Sequence, residues 1–193
     1  ISNKLVLELI NLMTKTIYKY TDQILVQSPK FNDYLKKQNV EENKLIYYPY
    51  YAEDFYKVVK AKKSFKEQLP KGFNVLFAGN IGVAQSFDTI VNAFKLLKEY
   101  DINLVVLGEG RDKQRVIELI NQQGLSDKFY FLGTHPPEKM PDYFACADVL
   151  LITLKKADIF SYTIPGKLQS YLACEKPIAG ALDGIGKEII QDA

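Results

Sequence analysis

The sequence predicts a doubly wound α/β domain built on a parallel sheet, and three observations carry that expectation. Short, nearly continuous apolar runs at Phe73 to Ala78, Ile102 to Leu107, Phe129 to Leu132 and Val149 to Thr153 alternate with segments of helical period. Glycine-bearing loops follow the strands, at Gly79-Asn-Ile-Gly82, Gly108-Glu-Gly110, Gly133-Thr-His-Pro136 and Ile164-Pro-Gly166. Parallel strands wound this way bring all such loops to one end of the sheet, where folds of this class hold their ligands.

Taken in order, residues 4 to 20 place Leu5, Leu9, Leu12, Met13 and Ile17 on one face of a helix, and residues 23 to 27 form a short strand centred on Ile24-Leu-Val26. Ser28-Pro29 is an N-cap signature opening a helix through about Lys37. Lys44 to Tyr48 is a second short strand, and Pro49 to Phe55 is irregular. The charged and polar stretch from Lys57 to Lys71 marks a boundary, so residues 1–58 are expected to end one domain and cross into a second, Rossmann-like one at 59–193. Within the second, Ile90, Phe94 and Leu97 mark the inner face of a helix from Ser86 to Tyr100. Val116, Leu119 and Ile120 mark the next helix, and Met140 to Cys146 is a short one. The chain opens on Ile1 and stops at Ala193 inside a helical pattern that begins at Gly186, so a fragment of a longer protein is expected.

Composition narrows the partners. With 193 residues, 47% hydrophobic and 25% charged, a soluble protein with a sizeable core is expected. A net charge of +2 and no basic run interleaved with aromatics exclude a nucleic-acid binder. Cys146 and Cys174 form no CxxC and there is a single histidine, so neither a zinc site nor a disulfide framework is indicated and a reducing cytoplasm is expected. No apolar run reaches the roughly 18 residues of a membrane span, and the first residues do not read as a signal peptide.

The stretch Thr163 to Ile178 reads as a phosphate-binding loop, a helix and a buried strand. Pro165 suits the first turn of a helix, and Leu168, Tyr171 and Leu172 fall on a core-facing stripe. Gly166, Lys167 and Ser170 are left on or near an open face. A glycine admits a ligand close to the backbone, free first-turn N–H groups favour an anion, and Lys167 adds a charge. On these residues alone a core helix with a solvated lysine accounts for the pattern better than a pyrophosphate site. The company of the other glycine loops reverses that order. Asn80 and Gln85 are placed to donate to phosphate or sugar, or simply to serve their turn. His135 either faces a base at the rim or is solvated, and Glu188 either accepts from a sugar or stabilises the first turn of its helix. Lys113 stands where a dinucleotide fingerprint needs its third glycine, and neither GxxxxGK[ST] nor GxSxG occurs. With no Asp-x-Asp to hold a metal, protein groups are expected to neutralise a bound diphosphate without a metal or other cofactor.

With its loops in this order the chain resembles a family-4 glycosyltransferase of the retaining, two-Rossmann type (GT-B). Phe77-Ala-Gly-Asn-Ile-Gly-Val-Ala-Gln85 stands where that family has Gly-Arg-Leu…Lys-Gly, and Val105-Val-Leu-Gly-Glu-Gly110 matches its second glycine loop. Phe131-Leu-Gly133 matches a strand end, Leu172 to Ile178 its Met-Ala-x-Gly-x-Pro-Val, and Gly184 to Ile190 its closing Gly-Gly-x-x-Glu-Ile-Ile. The chain departs from the pattern where the family's diphosphate-binding Arg and Lys fall on Asn80 and Gln85, and where the glutamates of its E-x7-E fall on Tyr162 and Ser170. Gly79-Asn-Ile-Gly-Val-Ala-Gln85 together with Ile164-Pro-Gly-Lys-Leu-Gln-Ser-Tyr171 resembles a branch that uses this alternative set and adds N-acetylated deoxyhexosamines, such as N-acetylfucosamine, to bacterial surface polysaccharide or lipopolysaccharide. By that analogy Lys167 restores the lost charge and Ser170 replaces a glutamate at the ribose.

The resemblance implies that residues 59–193 are the donor-binding half of the enzyme, truncated at the carboxyl end. Nucleotide-sugar contacts are expected from Gly79, Asn80, Gly82, Gln85, Gly108, Glu109, Thr134, His135, Pro165, Gly166, Lys167 and Ser170, with Lys167 and Glu188 as catalytic candidates. The donor is expected to be a UDP-sugar and the acceptor lipid-linked or a saccharide. The setting is the cytoplasm, at the inner face of the plasma membrane if an amino-terminal domain associates with it, and this portion alone is expected to bind without turnover. A sugar-nucleotide epimerase of the same architecture and a non-catalytic nucleotide-binding partner of a transferase complex are the alternatives.

Overall fold

A computed structural model describes residues 3–193. Helix α1 (Lys4–Tyr20) is capped by Asn3, whose side chain accepts from the Leu5 N–H at 3.1 Å. Its apolar stripe is exposed and none of its residues is buried, although Tyr18 packs against a small neighbouring core. Strand β1 (Ile24–Val26), helix α2 (Lys30–Lys37) and strand β2 (Leu45–Tyr47) make one parallel βαβ unit over a small core of Val26, Leu35 and Val40. The expected cap at Ser28 does not form. Pro29 begins the helix without a side-chain cap, because the Ser28 hydroxyl donates to the carbonyl of Tyr162 instead. Phe31 and Tyr34 of α2 pack on that same tyrosine, with ring centroids 6.2 and 5.9 Å away.

Within the charged 57–71 stretch, a single turn, α3 (Lys63–Lys66), sets Phe65 edge-on to Tyr143 at 4.8 Å. Then comes the regular alternation: β3 (Phe73–Ala78), α4 (Phe87–Leu96), β4 (Ile102–Leu107), α5 (Lys113–Gln122), β5 (Phe129–Gly133), α6 (Met140–Cys146), β6 (Val149–Thr153), α7 (Asp158–Tyr162), α8 (Gly166–Ala173), β7 (Ile178–Ala181) and α9 (Ile185–Asp192). The five strands are parallel in the order β5-β4-β3-β6-β7, so the winding reverses between β3 and β6. Successive residues serve opposite faces. Leu76, Val105, Leu107, Leu150 and Ile152 meet Tyr143, Phe144, Leu168 and Tyr171 on one side, and Phe77, Leu104 and Val106 meet Phe87, Ile90, Phe94, Val116 and Ile120 on the other. Two covered faces are why these strands read as unbroken apolar runs.

Helix α4 and helix α5 are tied by Arg115, which donates to both carboxylate oxygens of Asp88 at 2.8 and 2.7 Å and to Asp112 at 2.7 Å. Three expectations differ from the structure. Helix α4 stops at Leu96, short of Tyr100; α7 occupies a segment that the sequence pattern did not mark; and β7, expected to be buried, is an edge strand with Ala179, Gly180 and Ala181 exposed. Its composition is apolar, but among the described residues the sheet ends there and no strand pairs beyond it.

Candidate functional site

Backbone pairing continues past the strands into the glycine loops. Gly79 N–H donates to the Leu107 carbonyl at 2.8 Å, Ile81 to Glu109 at 2.9 Å, and Gly108 to Gly133 at 2.7 Å. Gly79 (φ +140°) and Gly108 (φ +143°) adopt conformations closed to ordinary L residues, and a Cβ on Gly108 would collide with the Gly79 carbonyl. The loops after β3, β4 and β5 therefore close-pack into one wall. Facing them, the amino-terminal turn of α8 completes a cleft of about 650 Å³ at the carboxyl ends of the strands. Tyr171 fixes that helix to the sheet: its hydroxyl accepts the Ala78 N–H at 3.0 Å, and complete burial holds the phenol well above its usual pKa.

Lys167 is the unusual member of this wall. The residue as a whole is half-buried, but its Nζ is sealed from solvent and has no hydrogen-bond partner. The amine lies 3.7 Å from the centroid of the Phe77 ring. A Cβ on Gly79 would sit 2.9 Å from Nζ, so the glycine leaves the space that the amine fills. Burial pushes the pKa of Lys167 down to about 7. Next to it, the first-turn N–H groups of Gly166 and Lys167 have no acceptor within the helix, and a Cβ on Gly166 would meet no atom within 4 Å. A buried amine without a counter-charge, beside free N–H groups and open space, can receive an anion.

Residues 59–193 match the Glycosyl transferases group 1 family. The chain belongs to that family. Probable glycosyltransferase WbjE of Pseudomonas aeruginosa is 26% identical over 110 residues, which cover 55% of this chain and 26% of that protein. Putative colanic acid biosynthesis glycosyl transferase WcaI of Escherichia coli K12 is 26% identical over 100 residues, 51% of this chain and 24% of the relative. Among solved structures, Anabaena Alr3699/HepE in complex with UDP and glucose superposes with a TM-score of 0.74 at 14% identity, over 93% of this chain and 49% of the other. WaaG, a glycosyltransferase involved in lipopolysaccharide biosynthesis, gives 0.69 at 16% identity over 88% and 47%. The fold is that of the GT-B glycosyltransferases. The chain spans between 24 and 34% of the curated relatives it matches and about half of these solved structures.

Of the residues expected to contact a donor in this family member, Gly79, Asn80, Gly108, Glu109, Thr134, His135, Gly166, Lys167 and Ser170 line the cleft. Gly82, Gln85, Pro165 and Glu188 do not. Gln85 sits in the turn before α4, its backbone carbonyl accepting from the Thr153 hydroxyl. Pro165 is the buried N-cap of α8. Glu188 pairs instead with Lys30 of α2. Lys167, expected on an open face, has its amine folded inward over Phe77. His135 is tied down, one ring nitrogen lying 3.0 Å from the Leu132 carbonyl and the ring within 3.3 Å of the Tyr143 hydroxyl. Of the two positions at which the resemblance places glutamates, Tyr162 is packed between Phe31 and Tyr34, whereas Ser170 is buried in the cleft wall beside Tyr56. Burial raises the Tyr56 hydroxyl pKa and the Ser170 hydroxyl pulls it back down. The far wall, made by Tyr50, Tyr51, Glu53 and Tyr56, was invisible to periodicity because an irregular segment carries none. Three tyrosines within seven residues were the signal available.

Proposed function

We propose that this chain is the donor-binding half of a glycosyltransferase that moves a sugar from UDP to a lipid-linked or saccharide acceptor, with retention at the anomeric carbon, in the making of bacterial surface polysaccharide. The observation that carries the reading is the sealed, unpartnered Nζ of Lys167 at the head of α8. As the sugar leaves, negative charge grows on the diphosphate, and preorganised N–H groups with a lysine stabilise it as it develops. In this reading Lys167 and the backbone N–H groups of the first turn of α8 carry that charge without a metal. The donor sugar belongs to the N-acetylated deoxyhexosamine class by resemblance of the Ile164-Pro-Gly-Lys-Leu-Gln-Ser-Tyr171 segment. An epimerase would need acid–base groups facing the sugar, and of the two cleft carboxylates Glu109 is already held by Lys113 at 2.6 Å while Glu53 is exposed at the edge. Calorimetric titration with UDP, with and without EDTA, tests the reading. Binding that survives EDTA is expected; no binding of any nucleoside diphosphate, or a strict need for a divalent ion, would overturn it.

A further inference from the structure

We propose that a nucleoside diphosphate enters this cleft together with a proton: the Lys167 amine is neutral in the empty site and becomes an ammonium when the diphosphate arrives. This rests on the reading that the cleft binds a nucleoside diphosphate, and adds to it that binding is coupled to proton uptake at one named atom.

The basis is the geometry around Nζ. It is shut off from water, has no hydrogen-bond acceptor, and makes no ion pair with any carboxylate among the described residues. An aromatic face at 3.7 Å offers a cation some attraction but far less than water or a carboxylate would. Titratable groups reach the cleft from every element around it. The crossing after β2 brings Tyr50, Tyr51, Glu53 and Tyr56, the loop after β4 brings Glu109, the loop after β5 brings His135, and α8 itself brings Tyr171. Glu109 is committed to Lys113, Glu53 is exposed at the cleft edge, and Tyr171 is a buried, protonated phenol. None of them holds a proton on Lys167, and its pKa of about 7 follows from burial alone.

A diphosphate changes that balance. Its charge beside Nζ favours the ammonium, so the bound-state pKa rises above the empty-state value and one proton is taken from solvent. The sign follows from linkage: a site that gains a proton on binding loses affinity as pH rises above the empty-state pKa. At pH 8 an amine with a pKa of about 7 is about nine-tenths neutral, so about 0.9 proton accompanies each UDP. From pH 8 to 9 the affinity falls about tenfold. Both pH values lie above the second ionisation of a terminal phosphate, near 6, so the ligand contributes little to the uptake.

The test is calorimetric titration of the chain with UDP at pH 8 in HEPES and in Tris, whose ionisation heats differ, with the affinity measured again at pH 9. The wild-type chain is expected to show buffer-dependent heats equal to about 0.9 proton and the tenfold loss, and uridine to show neither. Lys167→Arg, charged at all these pH values, is expected to bind UDP with no uptake and no loss between pH 8 and 9. His135→Gln is expected to keep the uptake. Tight UDP binding that is weakened by Lys167→Met but gives buffer-independent heats would overturn the proton coupling and leave the binding site standing. Uptake persisting in Lys167→Arg would place the proton elsewhere and also overturn it. No UDP binding at all would remove the site and the coupling together. If Lys167→Arg fails to fold by circular dichroism, the wild-type pH dependence and the buffer-independence of residual binding to Lys167→Met decide the matter.

Discussion

On the α4–α5 face Arg115 lies between two carboxylates, each at about hydrogen-bonding distance, and Asp112 is nearly buried beneath it. Across the sheet end, Lys167 has an aromatic ring, a glycine and nothing else. Both are basic side chains taken partly or wholly out of water. Arg115 lowers the pKa of Asp88 and of Asp112 through its hydrogen bonds, so that cluster stabilises the fold as it stands. Burial of Lys167 without a partner costs stability in the empty protein, and under the proposed function a bound anion would return it. A charge whose partners are already present is a structural tie; one whose partners are missing marks where a ligand goes.

Replacing each cation should separate the two roles. Lys167→Met deletes the charge and keeps most of the stem, so UDP affinity should drop about tenfold to a hundredfold, the worth of a charged hydrogen bond at roughly 1.5–3 kcal/mol. Uridine, which lacks the diphosphate, should bind almost as before, and titration of both ligands checks this. Stability should move the other way. Between pH 7 and the usual lysine pKa the unfolded chain binds more protons at this residue than the folded one, so wild-type stability should rise with pH across that window. The methionine variant should lack that rise and be the more stable of the two at neutral pH. Equal losses for UDP and uridine would erase the contrast with Arg115.

Arg115→Met should do the reverse. Leaving Asp112 without its partner should cost about 1 to 2 kcal/mol in denaturant titration, while UDP affinity stays within about twofold. Both aspartates have lowered pKa values in the fold, so the wild-type advantage is present above the ordinary aspartate pKa. It should vanish as pH falls through the depressed folded values, which melts at pH 7 and pH 3 would show.

How much of this contrast the sequence could show differs by level. The parallel sheet was legible because apolar runs covered on both faces are continuous, and Lys167 was legible as a residue type beside a glycine at a helix start. Its burial was not, because helical period places the Cα of Lys167 on the open side while the stem then turns back to Phe77, on a strand ninety residues earlier. Ser28 as a cap and Glu188 in its own first turn are local expectations for the same reason. Their partners, Tyr162 and Lys30, lie more than a hundred residues away in sequence.

Two smaller substitutions sharpen the border of the site. Gly166→Ala has room for its methyl in the empty protein and favours helix, so the melting temperature should hold or rise slightly. UDP affinity should nevertheless fall by about 1 kcal/mol, roughly fivefold, if the ligand approaches that Cα. Glu188→Gln removes only an exposed pair with Lys30, so stability should change by less than about 0.5 kcal/mol and UDP binding not at all. A clear loss of UDP-sugar binding there would move Glu188 back into the site.

For anyone redesigning donor choice, the interlocked glycine loops divide the cleft wall into fixed and free parts. Gly108 is pressed against the Gly79 carbonyl, and both Gly79 and Gly108 sit at positive φ, so a side chain at either position is strained and one at 108 also displaces its neighbour's backbone. Residue 166 faces open space across the same cleft, so under the proposed function it is a wall position from which a combinatorial library can reach a donor without disturbing the scaffold.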